Sequence, residues 1–283
     1  MISKFRTLLV LGRVSNLPTV WSNCLAGWLL GGGGEWPRFA VLCGGATLLY
    51  VAGMFLNDAF DAEFDAQHRR ERPIPSGAIA LASVWSFGVV MLVAGTALLT
   101  LLGISTVVLA VCLAASILLY DWLHKLLTFS PVLMALCRLL LYLTAASAAN
   151  IGVTGLAMWC GLGLAAYIVG LSYLARKEAT GVVIQRWPQL LLLLPIAIAF
   201  LVNDGISREP ALLSAGVLLL WGIRSLSSVW LQPQNVSRAV SGLLAGIVLV
   251  DWLAVADEPR VYGAVFLGLF LLALLGQRFI PAT

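Results

Sequence analysis

The stretch of this chain best equipped for chemistry is Asn57-Asp58-Ala59-Phe60-Asp61-Ala62-Glu63-Phe64-Asp65. With the Ala66-Gln67-His68-Arg69-Arg70-Glu71-Arg72-Pro73 that follows, it holds five of the thirteen acidic residues and three of the seventeen Lys/Arg. On a helix, Asp58, Asp61 and Asp65 stand at i, i+3 and i+7, so the three carboxylates share one face. Asn57 lies four residues before Asp61. Like charges stacked this way repel and weaken the helix. A divalent cation, or a cation carrying phosphate, relieves that repulsion. Magnesium takes oxygen ligands and is commonly shared between one or two carboxylates and substrate phosphates. Arg69 and Arg72, four and seven residues beyond Asp65, continue the face and can take phosphate oxygens. The bland alternative is a solvated helix of mixed charge. The spacing, the Arg-Pro-Ile-Pro-Ser-Gly that follows and the apolar setting favour a functional role.

That setting is extreme. Hydrophobic residues make up 61% of the chain and charged residues 11%, with a mean hydropathy of +0.98. A soluble domain of 283 residues needs far more polar surface. The composition predicts an all-α, polytopic membrane bundle forming one domain over 1–283, with no isolated soluble unit. The net charge of +4 needs no nucleic acid to explain it. No cleavable signal is expected, because the apolar run after Lys4 and Arg6 is interrupted by Arg13, Asn16 and Pro18. Apolar segments fall at about 17–33, 38–56, 83–102, 104–121, 131–150, 154–174, 188–203, 210–231, 236–256 and 261–278. Most approach the ~20 residues a bilayer requires. The segment at 188–203 is short and contains Pro195, so nine to ten spans are expected.

Charge sets the orientation. With ten spans, one side carries Lys4, Arg6, Arg13, Arg69, Arg70, Arg72, Lys125, Arg176, Lys177, Arg186, Arg238 and Arg278, against Arg38, Arg208 and Arg260 on the other. The bias places the acidic motif on the cytoplasmic side, in a cell (inner) membrane. Two charges lie within spans. Arg138, roughly 10 Å below the edge by helix rise, is expected to face a cavity and bind a substrate phosphate or carboxylate, with snorkelling as the alternative. For Arg224, snorkelling is favoured. Asp251 either pairs with a cation or reaches the outer interface, and Asn23 either lines a cavity or bonds between helices. The five cysteines are scattered singly, without metal or disulfide spacing.

Asn57-Asp58-x-x-Asp61-x-x-x-Asp65 followed by Arg72-Pro73-Ile74-Pro75-Ser76-Gly77 resembles the first aspartate-rich motif of the UbiA-type intramembrane prenyltransferases. Arg13-Val14-Ser15-Asn16-Leu17-Pro18 resembles the entry segment of that family, and Tyr120 and Lys125 resemble a Tyr…Lys pair in its loop after the fourth helix. The resemblance covers the chain to about residue 256. It implies a bundle of about nine helices around a central cavity opening to the cytoplasmic side. The implied reaction is Mg²⁺-assisted transfer of a prenyl group from an isoprenyl diphosphate to a small acceptor, often aromatic. Carried over, Asp58, Asp61 and Asp65 are Mg²⁺-diphosphate ligands and Asn57 a polar partner to the metal. Arg72 and Lys125 neutralise the leaving diphosphate, and Tyr120 bonds near it or steadies the cationic chain.

One departure is marked. The second aspartate motif of the family belongs in the loop at 172–187, where this chain reads Ser172-Tyr173-Leu174-Ala175-Arg176-Lys177-Glu178. Two readings are open: Arg176 and Lys177 act as cations on a phosphate in place of a metal, or ionisation chemistry has been lost. The first is favoured, because positive charge is kept where it is needed. Glu178 and Asp121 are candidates for the base toward the acceptor. The rival functions are a non-catalytic lipid-phosphate binder or transporter on the same scaffold, and a CDP-alcohol phosphotransferase, whose Asp-Gly-x-x-Ala-Arg string is missing.

Overall fold

The computed structural model describes residues 4–180, 187–202, 208–231 and 235–282, with the side chains of 177–180 and of Arg208 left out of account. Twelve α-helices and two 3-10 segments make up the described residues, and no strand occurs among them. A short α1 (Lys4–Leu11) leads through a 3-10 turn (Val14–Asn16) into α2 (Leu17–Leu30), which opens with Pro18 in its first turn. Proline has no N–H to lose there. The chain turns through Gly32, Gly33 and Gly34, all with positive φ, as the glycine run at 31–34 predicts.

Helix α3 (Trp36–Phe60) extends past the expected segment, so Asn57 and Asp58 sit in its last turns. Asp61 breaks it, and the short α4 (Ala62–His68) follows. Then come α5 (Leu81–Thr100), α6 (Ile104–Leu123), α7 (Ser130–Ser147) and α8 (Gly155–Thr180). After the 3-10 stretch Trp187–Leu193 come α9 (Leu194–Val202), α10 (Arg208–Trp230), α11 (Val236–Ala254) and α12 (Arg260–Phe279). The region expected as a loop from 172 is helical as far as Thr180, because the apolar helix simply runs on; 181–186 lie outside the described residues.

Eight of these helices are long and apolar enough to cross a membrane. The chain is a multi-pass integral membrane protein. Helix α2, with 14 residues, and the Trp187–Val202 segment are shorter, and these are the two that separate eight from ten. The core sits along α2, α3, α7, α8 and α11, whose Val20, Leu42, Leu49, Leu164, Leu243 and Ile247 are fully buried. Small residues let the helices close up. A Cβ on Gly27 of α2 would collide with the Tyr142 carbonyl oxygen of α7, and one on Gly95 of α5 would stand 3.0 Å from the Gly45 oxygen of α3. In lipid, where burial of apolar surface gives little drive between helices, such close packing carries much of the association.

Candidate functional site

The end of α3, the turn after α4, the end of α6 and the segment before α2 meet at one end of the bundle. Asp58 is 5% exposed. Its Oδ1 accepts from Arg13 Nη2 at 3.2 Å and from Arg72 Nη1 at 3.3 Å. One turn on, Asp61 Oδ1 accepts from Lys125 Nζ at 2.7 Å and faces His124 Nε2 at 3.3 Å. Each carboxylate therefore draws two cationic side chains onto a single oxygen. Asp65 is buried, and its Oδ1 has no protein partner. The amide of Asn57 donates to Asp121 Oδ1 at 3.2 Å, while Asp121 Oδ2 is buried without a partner.

The backbone explains how each cation arrives. Helix α4 ends at His68, so Arg72 does not continue the aspartate face as expected. It comes back to Asp58 through a turn closed by Arg72 N donating to Arg69 O at 3.0 Å. Arg69, at the C-terminus of α4, forms no ion pair with the aspartates. Arg13 has φ 42 and ψ 46, and is the one non-glycine residue with positive φ among those described. A left-handed conformation costs a side-chain-bearing residue roughly 1–2 kcal/mol. The compensation is visible here: the break between α1 and the 3-10 turn swings Arg13 onto Asp58. Arg-Val-Ser-Asn-Leu-Pro resembles an entry segment but by itself assigns Arg13 no role.

His124 and Lys125 come from the end of α6. His124 Nδ1 lies 3.1 Å from the Asp121 carbonyl oxygen and Nε2 faces Asp61. Both ring nitrogens thus meet acceptors, which only the imidazolium satisfies by donating twice. Burial lowers the His124 pKa, but the bond to Asp61 and its charge outweigh that and raise it above the ordinary value. Burial likewise pushes the Asp61 carboxyl up, and the bonds and charges of His124 and Lys125 bring it below its ordinary value. Lys125 Nζ also lies 3.9 Å above the Phe64 ring, and Tyr120 stacks on His124 at 5.2 Å. The expected Tyr120 position beside the cluster is thus occupied by an aromatic wall.

Arg176 is not directed at the aspartates. Its Nη1 donates to the carbonyls of Leu127 and Thr128 at 2.7 and 2.8 Å and to Ser130 Oγ at 3.3 Å. It ties the end of α8 to the loop that follows His124 and Lys125, because unpaired loop carbonyls attract a fork of N–H donors. The side chains of Lys177 and Glu178 lie outside the described residues.

Arg138 is held inside the bundle. It donates to Asn23 Oδ1 at 2.7 Å, Thr19 Oγ1 at 3.1 Å and Thr19 O at 3.3 Å. Asn23 in turn donates to Asp251 Oδ2 at 2.7 Å, which also accepts from Ser22 Oγ at 2.5 Å. Arg138 therefore neither snorkels nor stands empty-handed in a cavity, and Asp251, fully buried, does not reach an interface. A charge buried in hydrocarbon is tolerated only when paired. The exposed Arg224 lies over the Trp221 ring at 5.9 Å.

The donor set can be tested against magnesium. Among the described residues, no three His, Cys, Asp or Glu side chains converge closely enough to hold a metal by themselves. The three aspartates thus form a row rather than a finished cage. A row still suits an ion that shares its shell with water and phosphate. Asp65 Oδ1 is unpartnered, and the four cations meet one oxygen each of Asp58 and Asp61, so the second oxygen of each takes no part in those ion pairs.

The chain is similar to known proteins over most of its length. Residues 16–280 match the profile of the UbiA prenyltransferase family. A digeranylgeranylglyceryl phosphate synthase from Methanoculleus marisnigri is 32% identical over 107 residues, 38% of each chain. A 4-hydroxybenzoate octaprenyltransferase from Methylibium petroleiphilum is 37% identical over 82 residues, 28% of this chain and 27% of that one. These alignments span well under half the length of the curated relatives. The solved structure of a UbiA homolog from Aeropyrum pernix K1 superposes with a TM-score of 0.68 at 17% identity, covering 88% of this chain and 99% of that one, a likeness of fold.

Proposed function

The chain belongs to the UbiA prenyltransferase family, and on that premise we propose that it transfers a prenyl group from an isoprenyl diphosphate to a small acceptor within the membrane. The whole of 1–283 works as one domain, with the aspartate row facing the cytoplasm. The observation that carries this reading is the pairing of Asp58 and Asp61 with four cationic side chains at one end of an apolar bundle. Alternating carboxylates and cations are the two halves of a metal–diphosphate site.

Asp58, Asp61 and Asp65 would hold Mg²⁺, with the carbonyl oxygen of Asn57 beside them. When bound, the ion supplies charge to the leaving diphosphate. The protein's own cations act on the same charge. As the allylic C–O bond breaks, negative charge builds on the departing diphosphate, and Arg13, Arg72 and Lys125 are placed to pair with it by turning from the aspartates. Arg176 acts indirectly, by fixing the loop that carries Lys125. Tyr120 and Phe64 furnish aromatic faces beside the cations, a surface that accepts a positive carbon chain better than water would. Proton removal from the acceptor falls to Asp121, whose Oδ2 is free of protein partners.

The test uses the full chain in detergent with Mg²⁺, a radiolabelled isoprenyl diphosphate and a mixture of small acceptors that includes 4-hydroxybenzoate and a glycerol phosphate lipid. Pyrophosphate release is expected, and Asp61→Ala should abolish it. Release persisting in that variant defeats the assignment. Binding of the diphosphate without release in the unaltered protein supports instead the non-catalytic lipid-phosphate reading, which the commitment of Arg176 to a loop in place of a second acidic motif favours.

A further inference from the structure

A second feature lies away from the aspartates and owes nothing to the proposed reaction. The segment Trp187–Val202 is only part helix: a 3-10 stretch and nine residues of α9, with prolines at 188 and 195. It is too short to fill the side of the bundle between α8 and α10. The space left is a cleft of about 590 Å³, within the ~300–1,000 Å³ range of small-molecule sites. Its floor is buried: Tyr167, Leu218, Leu226 and Leu243 are each 7% exposed or less. Its rim, formed by Leu190, Leu193, Leu219 and Ile223, is exposed on the outside of the bundle, where lipid chains lie.

The wall holds one polar anomaly. Gln189 is 8% exposed, and its Oε1 accepts from Trp230 Nε1 at 3.1 Å. That bond orients the amide, yet its Nε2 is buried with no partner. A buried donor without an acceptor is unfavourable and rarely kept. Tyr167 does not supply one, since its hydroxyl already donates to Leu243 O at 2.8 Å. A purely apolar lipid tail would leave the amide unsatisfied. Both Gln189 and Trp230 sit at the ends of their segments, at the level where a lipid changes from chain to head group.

We propose that this cleft is a lateral lipid-binding site for a single long apolar chain ending in a hydrogen-bond-accepting oxygen, which the Gln189 amide takes. An isoprenoid or an acyl amphiphile meets that description.

The full chain, in phosphatidylcholine nanodiscs, is photolabelled with three diazirine probes: a C20 isoprenoid alcohol, a C16 acyl-chain alcohol and a C16 alkane. Labelled peptides are mapped by mass spectrometry. Preferential labelling of 187–196 and 218–230 by an alcohol probe over the alkane is expected, and the stronger alcohol identifies the source. A Cβ on Gly222, in the cleft wall, would meet nothing within 4 Å. Gly222→Phe should therefore fill the cleft and cut this labelling at least fivefold. Gly216→Phe, equally unobstructed but outside the cleft, should leave it unchanged. Gln189→Leu should lower alcohol labelling severalfold without altering the alkane's. If Gly222→Phe does not elute as the native species, Leu219→Trp replaces it on the rim. Equal labelling by alkane and alcohols, full labelling in the filled variant, or indifference to Gln189→Leu overturns the proposal.

Discussion

Arg13 allows strain and charge to be separated at one residue. Its left-handed backbone favours glycine, whereas its guanidinium bonds Asp58 at 3.2 Å beside Arg72 at 3.3 Å. Arg13→Ala removes the bond and keeps the unfavourable conformation. A hydrogen bond to a charged group contributes ~1.5–3 kcal/mol. The Arg13 side chain is 20% exposed and Arg72 stays on the same oxygen, so a loss of about 1–2 kcal/mol is expected after screening. Arg13→Gly loses the same bond but sheds roughly 1 kcal/mol of backbone strain. The glycine variant should therefore unfold about 1 kcal/mol later than the alanine variant in a denaturant titration in micelles followed by circular dichroism. Affinity for inorganic pyrophosphate with Mg²⁺, measured by isothermal titration, should behave differently. Both variants lack the cation, so both should lose about tenfold, or ~1.4 kcal/mol. Identical unfolding of the two variants would refute the strain argument, and unchanged affinity in both would remove Arg13 from the phosphate site.

Two other outcomes follow from the charges. In metal-free protein, the Asp61–His124 pair should shape stability with pH. The lowered Asp61 pKa makes its contribution present above the ordinary carboxylate value of ~4 and lost as pH falls through the folded value. The raised His124 pKa makes its contribution complete below ~6.5 and lost as pH rises through the folded value. Thermal unfolding with chelator present should show greatest support from this pair between about pH 4 and 6.5, and His124→Gln should remove the decline on the alkaline side; an identical alkaline decline in that variant would show that another group causes it. Inside the bundle, Asp251→Leu should cost about 1–3 kcal/mol by leaving the Ser22 and Asn23 donors without their acceptor. The double variant Asp251→Leu/Arg138→Met should recover much of that in a double-mutant cycle, and additive losses would contradict coupling through Asn23.

The local rules served well wherever the deciding interaction was near in sequence. The glycine run at 31–34 turns the chain, and most of the apolar segments become helices near their expected bounds, the one at 188–203 being divided between a 3-10 stretch and α9. They failed where a helix was assumed to continue. The i, i+3, i+7 spacing carries the aspartate face on to Arg69 and Arg72, but α4 stops at His68, and Arg72 reaches Asp58 by a turn. Spacing puts the degenerate second motif in a loop, whereas Arg176 lies on α8 and donates to the carbonyls of Leu127 and Thr128. These two carbonyls lie almost fifty residues away in sequence, and no spacing rule reaches that far.

What the amino-acid sequence determined by itself is the solvent and the raw materials. Apolar runs near bilayer length must satisfy their backbone internally, which imposes helices, and the aspartates with their basic neighbours gather charge of both signs at one boundary. Only the tertiary structure decided which charge meets which. Arg13 lies 45 residues from Asp58, and Asn23 lies 228 from Asp251; these pairs form because close-packed helices bring them together away from water. There an unpaired charge is costly, so packing, not sequence proximity, selects the partner.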